Sequence, residues 1–403
     1  MKEISFLHAA DLHIDSPFQG LSTAPARIFS ELRESTFKVL ENLVKVAIEQ
    51  NVDFILLVGD LFDHEIQSLK AQIRLRQAFE QLAQHDIDVF LSHGNHDYVA
   101  GNVHKVTYPE NVKVFQTEEV SYFTYEKNGE KLANIYGFSY VQRVIKDNKA
   151  KEFKVQGNHI PFHIATLHGS IKNNVEHDVY APFQISDLQK EPFNYWALGH
   201  IHKRQILHER PYIVYPGNTQ GRNRKEHGAK GCYHVTINTK ETNLEFIPLQ
   251  AITFEKVALN LANYDDLYEA QRNLIQKLVD KVKDTPLLID LQMKNSDTVS
   301  INKEHELEQF LELIHEESTE QSLWQYIYNV EIEEPLEEVS AVGEHFITEL
   351  IEQAKLLDVE DSIKELFEHS IGRKYVHNFT EEEKREIKRR AKNLVLKNLL
   401  QKG

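Results

Sequence analysis

The fold is decided by one stretch, FILLVGDLFD at Phe54–Asp63. Its first five residues are all apolar, which is typical of a strand buried on both faces of a sheet. Gly59 then ends the strand, and carboxylates follow at Asp60 and Asp63. In an α/β sheet the carboxyl ends of parallel strands meet at one crevice, so this pattern places acidic side chains where a site can form.

The neighbouring segments continue the same alternation. We predict strand 4–10, helix 28–50, strand 54–58, helix 70–84 and strand 89–91, an order that indicates an α/β domain over residues 1–250. Further strands are separated more often by turns than by helices, which favours a mixed sheet or two packed sheets. These later strands are predicted at 132–138, 163–167, 195–198, 212–215 and 232–237.

The rest of the chain divides into two parts. Residues 251–335 predict a small α+β unit with strands at 254–261, 287–293 and 324–332 and helices at 265–282 and 304–314. Residues 336–403 read as charged helices, and the last one, 380–400, has an apolar stripe with charged flanks.

Length and composition fit a globular protein of two or three domains. The chain has 403 residues and a single cysteine, Cys232, which indicates a reducing compartment. Its N-terminal apolar run is too short for a secretory signal or a spanning helix, so we expect a cytoplasmic protein without a membrane anchor.

Taken as a single figure, the net charge of −16 disfavours a nucleic acid partner, because a polyanion is repelled by negative charge. However, 21 acidic residues and only three lysines lie between Asp297 and Glu368, whereas the rest of the chain has 43 basic and 41 acidic residues. The acidic stretch is a solvated or partner-facing segment, and the body that carries the candidate site is close to neutral.

Chemistry-bearing residues follow several of the predicted strands. Aspartate, histidine and asparagine without a thiolate suit Mn²⁺, Mg²⁺, Fe or Zn²⁺ in open coordination. Seven ligands are too many for one metal with open positions, whereas two metals that share a bridging carboxylate, roughly 3.5–4 Å apart, use the set well. The seven are Asp11, His13, Asp60, Asn95, His168, His200 and His202. Each motif alone is an ordinary turn, but five in this order indicate a dinuclear centre. The motifs are Asp11-Leu-His13, Gly59–Asp63, Gly94-Asn-His-Asp97, His168-Gly169 and Gly199-His-Ile-His202.

These motifs, in this order, resemble those of the calcineurin-like metallophosphoesterases over about residues 1–250. The whole chain looks most like the SbcD-type DNA-repair nucleases, particularly a YhaO-like branch. The resemblance implies a four-layer αββα sandwich with a small α+β capping domain and C-terminal helices. It also implies that Asp60 bridges two divalent metals, and we expect both to be Mn²⁺. One metal would be held by Asp11, His13, Asp60 and His202, and the other by Asp60, Asn95, His168 and His200.

His96 follows Asn95 and is expected near the metals without binding them. It is the natural group to protonate the leaving oxygen once water activated by the metals attacks phosphorus, and Asp63 could orient it. The resemblance supports this Asp–His pair.

A basic segment begins at the last metal motif and could position backbone phosphates, although a solvated loop explains it equally well. The candidate phosphate contacts are Lys203, Arg204, Arg222, Arg224 and Lys225. Nearby, Asn218 stands where the family more often has serine, which leaves open how closely the contacts follow the family.

The resemblance further implies that residues 251–335 form a capping domain that helps to admit DNA. It implies that the C-terminal helices bind an SMC-like, SbcC-type ATPase and that the protein is a homodimer. No Gly-x-x-x-x-Gly-Lys-Ser/Thr loop occurs, so an ATPase would be a separate chain. We expect a metal-dependent DNA exonuclease or endonuclease in DNA repair. The alternatives are a small-molecule phosphodiesterase or phosphatase, and an inactive binding module.

Overall fold

The computed structural model describes most of the chain up to residue 333 and only scattered positions beyond it. The predicted helix at 380–400 and most of the segment 336–403 lie outside the described residues. The described residues are 2–18, 21, 24–63, 67–101, 106–157, 159–172, 180–301, 303–318 and 322–333, with short pieces between 349 and 395.

The strands, in chain order, are β1 (Glu3–Ala9), β2 (Phe54–Val58), β3 (Asp88–Ser92), β4 (Val112–Val114), β5 (Ser121–Lys127), β6 (Glu130–Gly137), β7 (Phe162–His168), β8 (Tyr195–Gly199), β9 (Gln205–Glu209), β10 (Tyr212–Tyr215), β11 (Gly231–Asn238), β12 (Thr242–Pro248), β13 (Thr253–Asn260), β14 (Leu287–Lys294) and β15 (Gln325–Glu333). The helices are α1 (Ala26–Glu49), α2 (Leu69–Ala83), α3 (Ile185–Leu188), α4 (Leu267–Lys281), α5 (Glu304–Ser318) and α6 (Val359–Ser362).

The strands up to β12 form two six-stranded sheets. The first has the order β12-β11-β1-β2-β3-β4, in which β1 to β4 are parallel and β11 and β12 are antiparallel to their neighbours. The second has the order β5-β6-β7-β8-β10-β9, with β6, β7, β8 and β10 parallel. Each sheet therefore has a parallel centre whose strand ends meet at one edge.

The two sheets pack face to face through alternate residues of their strands. In β2, Phe54, Leu56 and Val58 point into the core between the sheets, where they join Ile164 and Tyr195 of the second sheet. The intervening residues of β2 pack instead under the helices α1 and α2. Both faces of β2 are covered, which explains its uninterrupted apolar sequence.

The layers that cover the outer faces of the two sheets are built from different elements. α1 and α2 are long amphipathic helices that cover the first sheet. The second sheet is covered by shorter pieces, among them α3 and the turn Lys149–Glu152, whose apolar residues pack on Trp196 and Tyr136. The α/β sandwich predicted from sequence is confirmed, and its second outer layer is built from short turns and loops.

A third sheet, in the order β13-β14-β15, packs against the start of α1. Trp324, which is fully buried, lies in this contact together with Leu288 and Ile28. Its indole Nε1 donates to Glu31 Oε2 at 2.6 Å, so the contact is both apolar and hydrogen-bonded. The predicted strands and helices of residues 251–335 are therefore present, and their sheet shares a core with the first helix.

By its backbone contacts the chain divides into two units. The first consists of Met1–Leu259, Asn263–Met293 and Ile301–Glu331. The second consists of Asn260–Ala262, Lys294–Ser300 and Ile332–Gly403. Within the second unit, the Asn295 amide donates to the Glu333 carbonyl at 3.1 Å. Among the described residues, no helix is both long and apolar enough to cross a membrane.

Trp324→Ala should lower the free energy of unfolding by about 3–5 kcal/mol, because it removes a fully buried indole and leaves a cavity. The measurement is equilibrium urea denaturation followed by circular dichroism. Tyr268→Ala is the control, since Tyr268 is 67% exposed and its truncation should change stability by less than about 0.5 kcal/mol. Equal effects of the two substitutions would contradict the packing described for Trp324.

Candidate metal centre

The seven predicted ligands all lie just beyond, or at, the carboxyl ends of parallel strands. Asp11 and His13 follow β1, Asp60 follows β2, Asn95 follows β3, His168 ends β7, and His200 and His202 follow β8. Because the two sheets face each other, strand ends of both converge on one site.

Several of these residues have a left-handed backbone. The φ angle is 52° at Asp11, 44° at His13, 50° at Asp60 and 98° at His200. Such conformations cost about 1–3 kcal/mol each in residues other than glycine, and they cluster at functional sites. The turns that hold the ligands are thus maintained by the surrounding fold against local preference.

The ligands fall into two groups of potential metal-binding atoms. One contains Asp11, His13 and His202, and the other contains Asp60, His168 and His200. Within each group the ligand atoms lie within 4.8 Å of one another. This division agrees with the assignment that the resemblance implied for the two metals.

Asp60 and Asn95 complete the arrangement. Asp60 Oδ2 lies 3.4 Å from His168 Nε2 and 4.0 Å from His13 Nε2, so it stands between the two groups, as a bridging carboxylate must. Asn95 Oδ1 lies 3.1 Å from both His168 Nε2 and His200 Nδ1. The structure therefore brings all seven predicted ligands together.

The donor atoms fit divalent metals. His13 Nε2 and His202 Nε2 lie 3.0 Å apart, a spacing at which one ion could contact both nitrogens. Asp11, His13, Asp60 and His168 are almost completely buried, and a buried set of carboxylates and imidazoles is best satisfied by a bound cation. Nitrogen and oxygen donors without thiolate suit Mn²⁺, Mg²⁺, Fe and Zn²⁺.

Two glycines let the strand ends come this close. A Cβ on Gly94 would overlap the Asp60 carboxylate, and one on Gly199 would overlap the Val58 carbonyl. Any larger residue at these positions would force Asp60 or the β8 turn out of place. The glycines of the Gly-Asn-His-Asp and Gly-His-Ile-His motifs thus have a steric role.

Burial and mutual charge set the protonation of the ligands. Burial by itself would raise the pKa of Asp60 and lower that of His168. The attraction between them prevails, holding the pKa of Asp60 well below its usual range and raising the pKa of His168 to about 9. Burial lowers the pKa of His13 and brings the pKa of His200 to about 3. Within this cluster the attraction of Asp60 favours the protonated form of His168, and burial favours the neutral forms of His13 and His200.

His96 lies beside the ligands. Its ring meets the His13 ring edge-on, with centroids 5.1 Å apart. Its amide donates to Asp60 Oδ1 at 3.0 Å, and its Nδ1 lies 2.9 Å from the Asp63 backbone carbonyl. Asp63 therefore contacts His96 through its main chain, whereas the expectation from sequence concerned its carboxylate.

The Asp63 carboxylate has other partners. It forms an ion pair with Arg222 and lies 3.4 Å from His13 Nδ1. The guanidinium of Arg222, a candidate phosphate contact, is thus engaged inside the site. Its role toward a substrate stays a prediction.

Three of the other candidate phosphate contacts lie near His202. Lys203, Arg204 and Lys225 line a cavity of about 610 Å³ that also borders His202. Lys230, a further cation of the same basic segment, lines the same cavity. Arg224 does not line it and is half-buried.

Glu226 is the site residue that sequence reasoning missed. Its Oε1 lies 2.8 Å from His202 Nδ1, and it is 9% exposed. Burial by itself would raise the pKa of Glu226, but His202 and Arg222 lower it to about 2. The signal in the sequence is weak: a single acid between Lys225 and His227 in a basic segment.

Comparison with known proteins agrees with this geometry. The family described as calcineurin-like phosphoesterase matches residues 4–204. The uncharacterized metallophosphoesterase YhaO of Bacillus subtilis (strain 168) is 36% identical over 99% of this chain and 98% of its own length. The chain belongs to the calcineurin-like metallophosphoesterases. Both the fold and the resemblance deduced from sequence are confirmed.

More distant similarity reaches DNA double-strand break repair proteins named Mre11. The protein from Sulfurisphaera tokodaii is 26% identical over 51% of each chain. The protein from Methanocaldococcus jannaschii is 24% identical over 69% of this chain and 73% of its own length. The family uses a dinuclear divalent metal centre, and the two ligand groups are the candidates for it in this metallophosphoesterase.

Mn²⁺ binding at pH 7 should release about one proton from His168, because its Nε2 must lose its proton to become a ligand. The affinity should therefore increase by up to about tenfold per pH unit from pH 7 to 9, and should fall as the pH falls. Calorimetric titration in buffers of different ionisation enthalpy measures the released proton.

The control is His85→Gln, which removes an exposed histidine outside the site and should leave the proton release unchanged. Binding that releases no proton and has the same affinity at pH 7 and 9 would contradict the protonation assigned to His168.

Proposed function

We propose that this metallophosphoesterase is a DNA nuclease that hydrolyses phosphodiester bonds as an exonuclease or endonuclease in DNA repair. The proposal rests on the two ligand groups and on the cations next to them. The similarity to proteins named for DNA double-strand break repair supports it.

The observation that carries the proposal is the cation-lined cavity beside His202. Lys203, Arg204, Lys225 and Lys230 border it. The Arg204 guanidinium lies 3.6 Å from the centroid of the Phe246 ring, which holds this flexible side chain in place through cation–π attraction. Several positive charges are thus arranged along one side of the metal ligands.

A nucleic acid strand accounts for this arrangement. The scissile phosphate would be bound by the metals themselves, and a simple phosphomonoester needs no further cation. A strand also carries phosphates on both sides of the bond to be cut, and lysine and arginine side chains bind such phosphates without regard to sequence.

The division of chemical roles follows from the site. When bound, the two metals polarise the phosphate and activate water. Because a carbonyl can only accept, the Asp63 carbonyl keeps a proton on His96 Nδ1 and leaves Nε2 for the substrate. The protonated ring can then donate from Nε2 to the leaving oxygen. Mn²⁺ is our proposed metal, since the mixed nitrogen and oxygen donors favour it over Mg²⁺.

The remaining parts of the chain are assigned by the same proposal. Residues 251–335 would act as a capping domain that helps to admit DNA, and residues 336–403 would bind an SMC-like, SbcC-type ATPase. The proposed assembly is a homodimer in the cytoplasm, where Cys232, free and buried in β11, would remain reduced.

A second candidate function is hydrolysis of small phosphodiesters. It is favoured by the size of the cavity, because about 610 Å³ lies within the range of small-molecule pockets. A nucleotide would fill such a cavity and use its cations.

His96→Ala should retain two Mn²⁺ ions and lose about 10²–10⁴-fold in the rate of DNA cleavage, because it removes the proton donor alone. Asp60→Ala should instead lose Mn²⁺ binding, since both ligand groups use this carboxylate. Cleavage of labelled single- and double-stranded DNA with Mn²⁺ measures the first effect, and bound-metal analysis after dialysis measures the second. Wild-type rates in His96→Ala would refute the role of His96.

Lys203→Gln should weaken DNA binding and reduce the slope of log K against log salt by about 0.9, as expected for one lost phosphate contact. Hydrolysis of bis(p-nitrophenyl) phosphate should be unchanged, because that substrate carries no neighbouring phosphate. Lys240→Gln, at the exposed turn between β11 and β12, is the control. An unchanged salt slope, together with no cleavage of DNA, would favour the small-molecule phosphodiesterase.

A further inference from the structure

We propose that Glu226 is a positioning residue that fixes the tautomer of His202 and thereby controls one of the two metal sites separately from the other. The inference rests on the metal centre of the proposed function and does not depend on the substrate.

Glu226 is held by three hydrogen bonds, two on one oxygen and one on the other. Its Oε2 accepts from Asn218 Nδ2 at 2.8 Å and from the Arg222 amide at 2.7 Å. Its Oε1 lies 2.8 Å from His202 Nδ1. The side chain therefore connects the loop between β10 and β11 to a metal ligand.

The chemistry of a carboxylate decides what His202 can do. An ionised carboxylate only accepts hydrogen bonds, so His202 Nδ1 must carry the proton. The lone pair then lies on Nε2, the atom that faces His13 Nε2 at 3.0 Å. Glu226 thus prepares His202 to bind a metal through Nε2, as outer carboxylates do for metal-bound histidines.

The second ligand group is oriented by different means. His168 Nδ1 lies 3.1 Å from the backbone carbonyl of Val58, at the end of β2. His200 presents Nδ1 to Asn95. Neither of these two ligands has Glu226 as its hydrogen-bond partner, so a change at Glu226 should affect the group of Asp11, His13 and His202 selectively.

A glutamine at this position would oppose the required tautomer while keeping the shape of the side chain. Asn218 Nδ2 and the Arg222 amide both donate to Oε2, so the loop would hold the amide oxygen there. The amide nitrogen would then point at His202 Nδ1 and donate to it. His202 would keep its proton on Nε2, the atom that must bind the metal.

The experiment is Glu226→Gln, titrated with Mn²⁺ while the six-line electron paramagnetic resonance signal of free Mn²⁺ is recorded. The wild type should bind two ions, and the variant should keep one site while the other weakens about 10–100-fold. Glu209→Gln, which removes an exposed carboxylate at the end of β9, is the matched control and should bind as the wild type does. Thermal unfolding of the metal-free proteins reports whether the fold is intact.

Two unchanged sites in Glu226→Gln would overturn the inference, and so would equal weakening of both sites. Both outcomes leave the proposed nuclease activity standing, whereas a wild type that binds no Mn²⁺ would refute both proposals. Nitrogen-15 shifts of His202 in the metal-free wild type give a second test that needs no variant. We expect the proton on Nδ1, and a proton on Nε2 would overturn the inference even if the variant fails to fold.

Discussion

The buried carboxylate of Asp60 is the constraint on which the rest of the site depends. A charge removed from water must be compensated, and here Asp60 lies between His13 and His168, one from each ligand group. To place it there, the first sheet must present the end of β2 and the second sheet the end of β7. The absence of a side chain at Gly94 leaves room for the Asp60 carboxylate, and the burial of both faces of β2 fixes the strand end that carries it.

Most strands and helices of this fold could be predicted from local sequence patterns. β2 and β10 coincide with their predicted bounds, and the other predicted strands and helices of the first 333 residues appear with shifts of a few residues. The strands that sequence reasoning missed, β4, β5, β9 and β12, are at or next to sheet edges. An edge strand is covered less completely, as the half-exposed pattern of β12 illustrates, so its sequence lacks the continuous apolar run that reveals a central strand.

In the site, too, some residues could be predicted from the sequence and others could not. The convergence of the seven candidate ligands could be predicted because each one ends or follows an apolar strand, and the carboxyl ends of parallel strands meet at one edge. The partners of these ligands could not be predicted. Glu226 reaches His202 across 24 positions, and Arg222 pairs with Asp63 across 159, so neither contact leaves a periodic signal in the sequence. Such contacts are made by loops, whose paths are set only when the sheets have packed.

The left-handed turns at Asp11, His13, Asp60 and His200 have a consequence for how an ion is taken up. Their strain is compensated by the packing of both sheets, which holds the candidate ligands in fixed positions. Side chains held in this way lose little conformational entropy when they bind an ion, so most of the attraction between ligand and ion remains available as affinity. An ion that binds only the folded state also opposes unfolding. Because the candidate ligands come from both sheets, a bound metal would also stabilise the packing of one sheet on the other.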